Sequence, residues 1–213
     1  MENKSFTFWN RLFGALVFLI ALTTYIITVE PTASFWDAGE YISTSAKLQV
    51  GHPPGAPLFQ MLGAVFASFA ENPEKIALMV NMMSVFSSAF TILFLFWTIT
   101  LLFGKIYPFD NYKSSSEKFG FFASASVGAL SLCFSDSFWF NAVEAEVYAM
   151  AMLILSILFY LALKWEKEMN TPRGDRWLLL ISFVIGLSFG VHFMGLLTIP
   201  AIGMLYYFKN YKK

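Results

Sequence analysis

Leu12 to Val29 is a run of 18 residues without a charge, and Ile76 to Phe103 is a second, longer one. Crossing about 30 Å of hydrocarbon takes roughly 20 helical residues. Inside lipid each backbone N–H and C=O must find its partner within the chain, which leaves the α-helix as the structure such a run can adopt. The chain is therefore read as an all-α polytopic membrane protein. Charged residues make up 13% of the 213, against about 25% in soluble domains. Cys133 is the single cysteine, so no disulfide forms within the chain.

The apolar blocks predict one transmembrane domain over 1–213 with about six spans, near 12–29, 76–103, 119–134, 147–163, 177–191 and 195–208. A cleaved signal peptide has a shorter apolar core ending in small residues, whereas the first run ends Tyr25, Ile26, Ile27, Thr28, Val29. Residues 30–75 form a large loop with surface helices predicted near 35–50 and 58–70, the second too short to cross. Asn72-Pro73 is a helix start, a capping residue followed by proline at the first helical position. The span at 119–134 is rich in Gly, Ala and Ser, which let helices approach closely.

Charge then sets an expected orientation. With six spans and a non-crossing 58–70 helix, one side holds Lys4, Arg11, Lys105, Lys113, Lys118, Lys164, Lys167, Arg173, Arg176, Lys209, Lys212 and Lys213, which is 12 of the 14 basic residues. Only Lys47 and Lys75 fall on the other side. Basic residues favour the cytoplasmic side. Both termini are expected there, with loop 30–75 and the second acidic passage, Ser135 to Glu146, facing out.

The stretch Trp36 to Phe59, WDAGEYISTSAKLQVGHPPGAPLF, carries most of the candidate chemistry. Asp37 and Glu40 are three apart and share a face if helical. Asp37 has two readings: the third residue of a capping box led by Ser34, or a general base at the membrane surface. Gly51 fits the end of the helix and Pro53-Pro54 bars its continuation. His52 either anchors the loop at the headgroups or binds a phosphate. Glu144 and Glu146 form an E-x-E that can cap a helix or hold a divalent cation. There is no Gly-rich phosphate loop, no Cys/His metal pattern and no basic aromatic patch, which argues against nucleic acid as a partner.

The order of these features resembles the GT-C superfamily of membrane glycosyltransferases. The matching stretches are Trp36-Asp37-Ala38-Gly39-Glu40 and His52-Pro53-Pro54-Gly55-Ala56-Pro57-Leu58. With FSDSFWFNAVEAEVYAM they look like the protein O-mannosyltransferase-like branch, a bacterial and animal family formerly catalogued as a domain of unknown function. The resemblance runs from about Phe13 to Pro200 and covers the N-terminal portion of such an enzyme, which usually has around eleven or more spans.

The resemblance implies transfer of a sugar, mannose or similar, from a polyprenyl-phosphate donor to Ser/Thr hydroxyls of translocated proteins on the non-cytoplasmic face. Asp37 carries over as the catalytic carboxylate and Glu40 as its assistant, although Ala38-Gly39 separates the two, where the better-known branch has them adjacent. His52, Lys47 or His192 would neutralise the donor phosphate. Membrane lipid, the lipid-linked sugar and the acceptor protein are the implied partners. The membrane would be the inner or plasma membrane of a bacterium, or the endoplasmic reticulum of a eukaryote. The alternative is a non-catalytic module: a lipid-phosphate carrier, flippase component or assembly partner.

Overall fold

The computed structural model describes residues 4–211. Lys212 and Lys213, counted in the charge distribution, lie outside the described residues. Every regular element among the described residues is helical: α1 Lys4–Thr28, α2 Ala38–Lys47, α3 Pro57–Ala67, α4 Ile76–Ile106, α5 Ser115–Cys133, α6 Asp136–Ala142, α7 Val147–Glu168, α8 Gly174–Ser188 and α9 Thr198–Tyr211, with short 3-10 turns between some of them.

Three of these helices, α1, α4 and α7, are long and apolar enough to cross a membrane. A fourth crossing arises if α5 and α6, bent by 70° at their junction, count as one broken span. The six-span expectation therefore does not carry over directly. α8 and α9 have 15 and 14 residues, or about 22 Å of helix, short of the hydrocarbon thickness. α3 has 11 residues and is shorter still.

α4 is the post around which the bundle is built, packing against α1, α5, α7 and α3. On one side Val17, Ala21 and Tyr25 of α1 meet Ile92 and Phe96 of α4 and Phe122, Ala125 and Ala129 of α5. On the other, Phe59 of α3 and Met83 of α4 meet Met150 and Leu158 of α7 and Ile181 of α8. Small residues let these axes close: Ala89, Ala125 and Ala129 are fully buried. α5 starts from a capping box, in which Ser114 Oγ accepts the Glu117 N–H and Glu117 accepts the Ser114 N–H. Where α5 breaks, the freed carbonyl of Cys133 accepts the Tyr25 hydroxyl at 2.9 Å.

The two ends of the bundle differ in charge. At one end Glu166, late in α7, pairs with Lys105 at 2.5 Å, late in α4, and with Lys209 at 3.5 Å, late in α9. The starts of α4 and α7 lie at the other end, about 44 Å away along α4 and about 28 Å along α7. There the acidic loops gather. Asn81, fully buried in α4, donates to the carbonyls of Glu30 at 2.7 Å and Thr32 at 2.9 Å. The Glu30 N–H in turn donates to the Val143 carbonyl at 3.0 Å. The first loop is thereby tied both to the central helix and to the second loop. α3 hangs from a different support: the N–H groups of Leu58 and Phe59 both donate to the Gly190 carbonyl, at 2.7 and 3.2 Å.

Asn81→Leu removes the two hydrogen bonds that tie the first loop to α4. It is expected to cost about 1–3 kcal/mol, and hydrogen exchange should speed up over residues 30–56 while the cores of α4 and α7 stay protected.

Candidate active site

The polar end is built on a sharp bend before α2. Trp36 takes φ +58, a left-handed conformation uncommon for a residue with a side chain, and its ring projects into solvent, 84% exposed. The bend overturns the capping-box reading. Asp37 is itself the residue preceding α2, and its side chain makes no cap hydrogen bond. The Ser34 hydroxyl instead donates to Glu144 Oε2. The Asp37 carboxylate is thus left free of a capping role and is 57% exposed.

The helix end also differs from expectation. α2 stops at Lys47 because Leu48 adopts the left-handed conformation, its N–H bonded to the Ser45 carbonyl and that of Gln49 to the Thr44 carbonyl. Gly51 has another task. A Cβ there would lie 3.0 Å from Glu40 Oε1 and 2.9 Å from Gln60 Nε2. Its absence lets Glu40 reach the loop, where Oε1 accepts the His52 N–H at 2.6 Å and Oε2 meets His52 Nδ1 at 3.1 Å. His52 Nε2 lies 3.9 Å from Asp37 Oδ2.

Asp37, Glu40 and His52 therefore form one cluster, with a ligand atom from each inside a 4.8 Å sphere of mutual distances. Such a carboxylate and imidazole set could hold a divalent cation. Among the described residues it is the one group of three or more potential metal ligands so close together. Glu144 and Glu146, for which the sequence leaves open a helix cap or a cation pair, are both buried. Glu144 holds Ser34, and Glu146 Oε1 accepts the Asp37 N–H at 3.2 Å.

Two other candidates lie apart from the cluster. Lys47 is exposed in the last turn of α2, about 15 Å along the helix from Asp37. His192 caps a 3-10 turn, its Nδ1 accepting the Met194 N–H at 3.2 Å, and its ring lies 5.4 Å from that of Tyr148. Three residues that the sequence reading passed over hold the site together. Tyr41 is buried with its ring 6.0 Å from His52 and 5.2 Å from Phe59. Gln60 bonds Thr44 Oγ1 at 3.1 Å, and Asn81 pins the loop. The polarity of Gln60 and Asn81 inside apolar helices was the available signal.

Residues 37–213 match the family model described as the Protein O-mannosyl-transferase TMEM260 N-terminal domain. The chain belongs to this family. It is similar to protein O-mannosyl-transferase tmem260 of Dictyostelium discoideum, 25% identical over 163 residues, 76% of this chain and 18% of the relative. It is also similar to protein O-mannosyl-transferase TMEM260 of Mus musculus, 26% identical over 172 residues, 81% of this chain and 22% of the relative. The chain thus spans about a fifth of the length of these curated relatives. No solved structure matches it.

The electrostatics of this family member's site follow from the geometry. The His52 side chain and the carboxylate oppose each other's neutral forms. Glu40 lies below the ordinary carboxylate range, first because it accepts the His52 backbone N–H, then because of the ring. His52 is raised, first by its hydrogen bond to Glu40 and then by that carboxylate's charge, with Asp37 adding to it. Glu146 is pushed up to about 7 by burial, helped by the charges of Glu144 and Asp37. Tyr41 is raised to about 12 by burial and then by the charges of Glu146, Asp37 and Glu40.

The folded chain consequently holds a proton on Glu146 where the unfolded chain has lost it. That stabilisation is complete below the ordinary value of 4.5 and disappears as pH rises through about 7. Glu146→Gln should flatten the dependence of melting temperature on pH across this window. In Glu40→Gln the NMR titration midpoint of His52 should fall, because its raised value depends first on Glu40.

Proposed function

We propose that this chain is the acceptor-proton and donor-phosphate end of a GT-C type glycosyltransferase. It moves a sugar, mannose or one like it, from polyprenyl phosphate to Ser/Thr hydroxyls of proteins. The observation that carries the reading is the Asp37 carboxylate: exposed, free of capping duty, clamped through its backbone by Glu146 and set 3.9 Å from His52. The printed names of the relatives, protein O-mannosyl-transferases, support the same reaction class.

In this mechanism the acceptor oxygen attacks the anomeric carbon, and the bond from that carbon to the lipid phosphate breaks. The acceptor proton passes to Asp37, and the phosphate leaves with the bonding electrons. General-base help of this kind is worth roughly 10²–10⁴ in rate. His52, whose charged form Glu40 favours, would set a positive charge where the leaving phosphate gathers negative charge. Glu40 therefore acts through His52. Asp37, Glu40 and His52 are also the residues that would hold a divalent cation, which would supply that positive charge in place of the imidazolium.

The charge distribution favours a non-cytoplasmic site. Lys4, Arg11, Lys105, Lys164, Lys167 and Lys209 sit at the bundle end opposite Asp37, and basic residues favour the cytoplasmic side. A non-catalytic, lipid-phosphate-binding role for the chain on its own is the second reading, favoured by its covering 18–22% of the relatives.

Asp37→Asn in the full-length protein is expected to lower transfer of labelled mannose to a Ser/Thr acceptor at least roughly 10²-fold, with retention of the lipid donor unchanged. Full transfer by that variant would exclude Asp37 as the base. Retained donor without transfer in the unmutated full-length protein would favour the second reading.

A further inference from the structure

Two polar side chains at the acidic end of the bundle have no part in the transfer chemistry. Tyr148 lies in the first turn of α7, and His192 stands just before the 3-10 turn Phe193–Leu197. Their rings are 5.4 Å apart, tilted at 54°. Tyr148 is exposed and His192 half-buried, so the pair opens outward.

Two ties bring this pair beside the Asp37 cluster. Tyr148 follows closely on Glu146, whose Oε1 accepts the Asp37 N–H. His192 follows closely on Gly190, whose carbonyl accepts the N–H groups of Leu58 and Phe59 at the start of α3, a few residues after His52. Tyr41 is the common neighbour. Its ring lies 6.0 Å from that of His52, and its hydroxyl is raised first by burial and then by the charges of Glu146, Asp37, Glu40 and Tyr148.

What the pair offers is hydrogen bonding without charge. His192 Nδ1 accepts the Met194 N–H at 3.2 Å. That bond commits the Nδ1 lone pair, so the ring proton sits on Nε2. An imidazolium carries a proton on each nitrogen and could not accept there. His192 therefore presents a fixed, uncharged N–H, and Tyr148 a hydroxyl that both donates and accepts. Among the described residues, neither His192 Nε2 nor the Tyr148 hydroxyl has a hydrogen-bond partner.

Such a pair is ill suited to the phosphate that His192 was expected to neutralise. Phosphate oxygens are matched best by charged donors, which His52 supplies. Sugar hydroxyls are neutral and both donate and accept, so an uncharged N–H beside a phenol matches them. In the transfer mechanism the anomeric carbon stands between Asp37 and the phosphate at His52, and the hydroxyl-bearing remainder of the sugar extends beyond it.

We propose that Tyr148 and His192 bind hydroxyls of the transferred sugar and so set which sugar the site accepts. The inference rests on the transferase reading of the Asp37 site and names the residues that would recognise its sugar. A site built to hydrogen-bond a substrate hydroxyl rejects the analogue that lacks it, because its own polar groups are left unpaired.

The test uses the full-length protein in phosphatidylcholine nanodiscs, with retained lipid counted by native mass spectrometry. The probes are polyprenyl phosphate, its mannosyl ester, and single-deoxy analogues of that ester. The unmutated protein is expected to retain the mannosyl lipid in preference to the bare lipid, and at least one deoxy analogue roughly tenfold less than the parent. Tyr148→Phe keeps the ring, and His192→Asn keeps an acceptor for the Met194 N–H. Each should lower retention of the mannosyl lipid roughly tenfold and leave that of the bare lipid unchanged; Lys113→Gln, a loop lysine, should change neither. Equal retention of the parent and every deoxy analogue by the unmutated protein would overturn the proposal, and that arm decides even where a variant unfolds. So would folded variants that lower both lipids alike or neither. Sugar-dependent retention without transfer by the unmutated protein would fail the transferase reading instead and leave the sugar contact standing.

Discussion

The hydrogen bond from the Asp37 N–H to Glu146 Oε1 joins the two acidic passages of the chain, and the polar end depends on it. Asp37 belongs to the first loop and Glu146 immediately precedes α7, so the contact spans 109 residues. Glu144 repeats the arrangement by accepting the Ser34 hydroxyl. Both glutamates are buried, where an isolated carboxylate is costly. The fold answers the cost in two ways: each carboxylate receives a donor from the first loop, and Glu146 rises to about 7 and so remains protonated in part near neutrality. Support and reactive carboxylate are thereby divided. The second passage supplies buried anchors, and the first keeps Asp37 open to solvent.

The bundle beneath makes this possible by bringing the right helix ends together. α4 and α7 both begin at the acidic end, and α1 finishes there. Apolar packing alone would let these helices slide, because lipid is as apolar as their side chains. Directional contacts at both ends oppose sliding: Asn81 to the loop carbonyls at one, and Glu166 between Lys105 and Lys209 at the other. Tyr25 adds a third fixed point where α5 breaks.

The fold class was legible because uncharged runs such as 12–29 and 76–103 leave few choices to a backbone in lipid. The number of crossings was less legible. Apolar length counts residues, but it does not show that α5 bends by 70° or that α8 ends at Ser188. Asp37, Glu40 and His52 were legible as residues, because ionisable groups between spans are conspicuous. Their grouping was not. It depends on the left-handed bends at Trp36 and Leu48, which no glycine signals, and on Gly51 making room for Glu40 rather than ending a helix. The contacts of Glu144 and Glu146 were hidden for a similar reason: E-x-E spacing is compatible with a helix cap or a cation pair and does not show that the two carboxylates reach Ser34 and Asp37 of the first loop.

The suspension of α3 from the Gly190 carbonyl has a mechanical consequence. Leu58 and Phe59 start α3 a few residues after His52, and both their N–H groups end on that single oxygen between α8 and His192. A Cβ at position 190 would lie 2.8 Å from the Leu58 Cβ, so a glycine is what permits the contact. His52 is thus geared to the α8–α9 turn, while Asp37 is geared to the start of α7. The 3.9 Å approach of imidazole to carboxylate therefore brings together two segments that are anchored to different helices of the bundle.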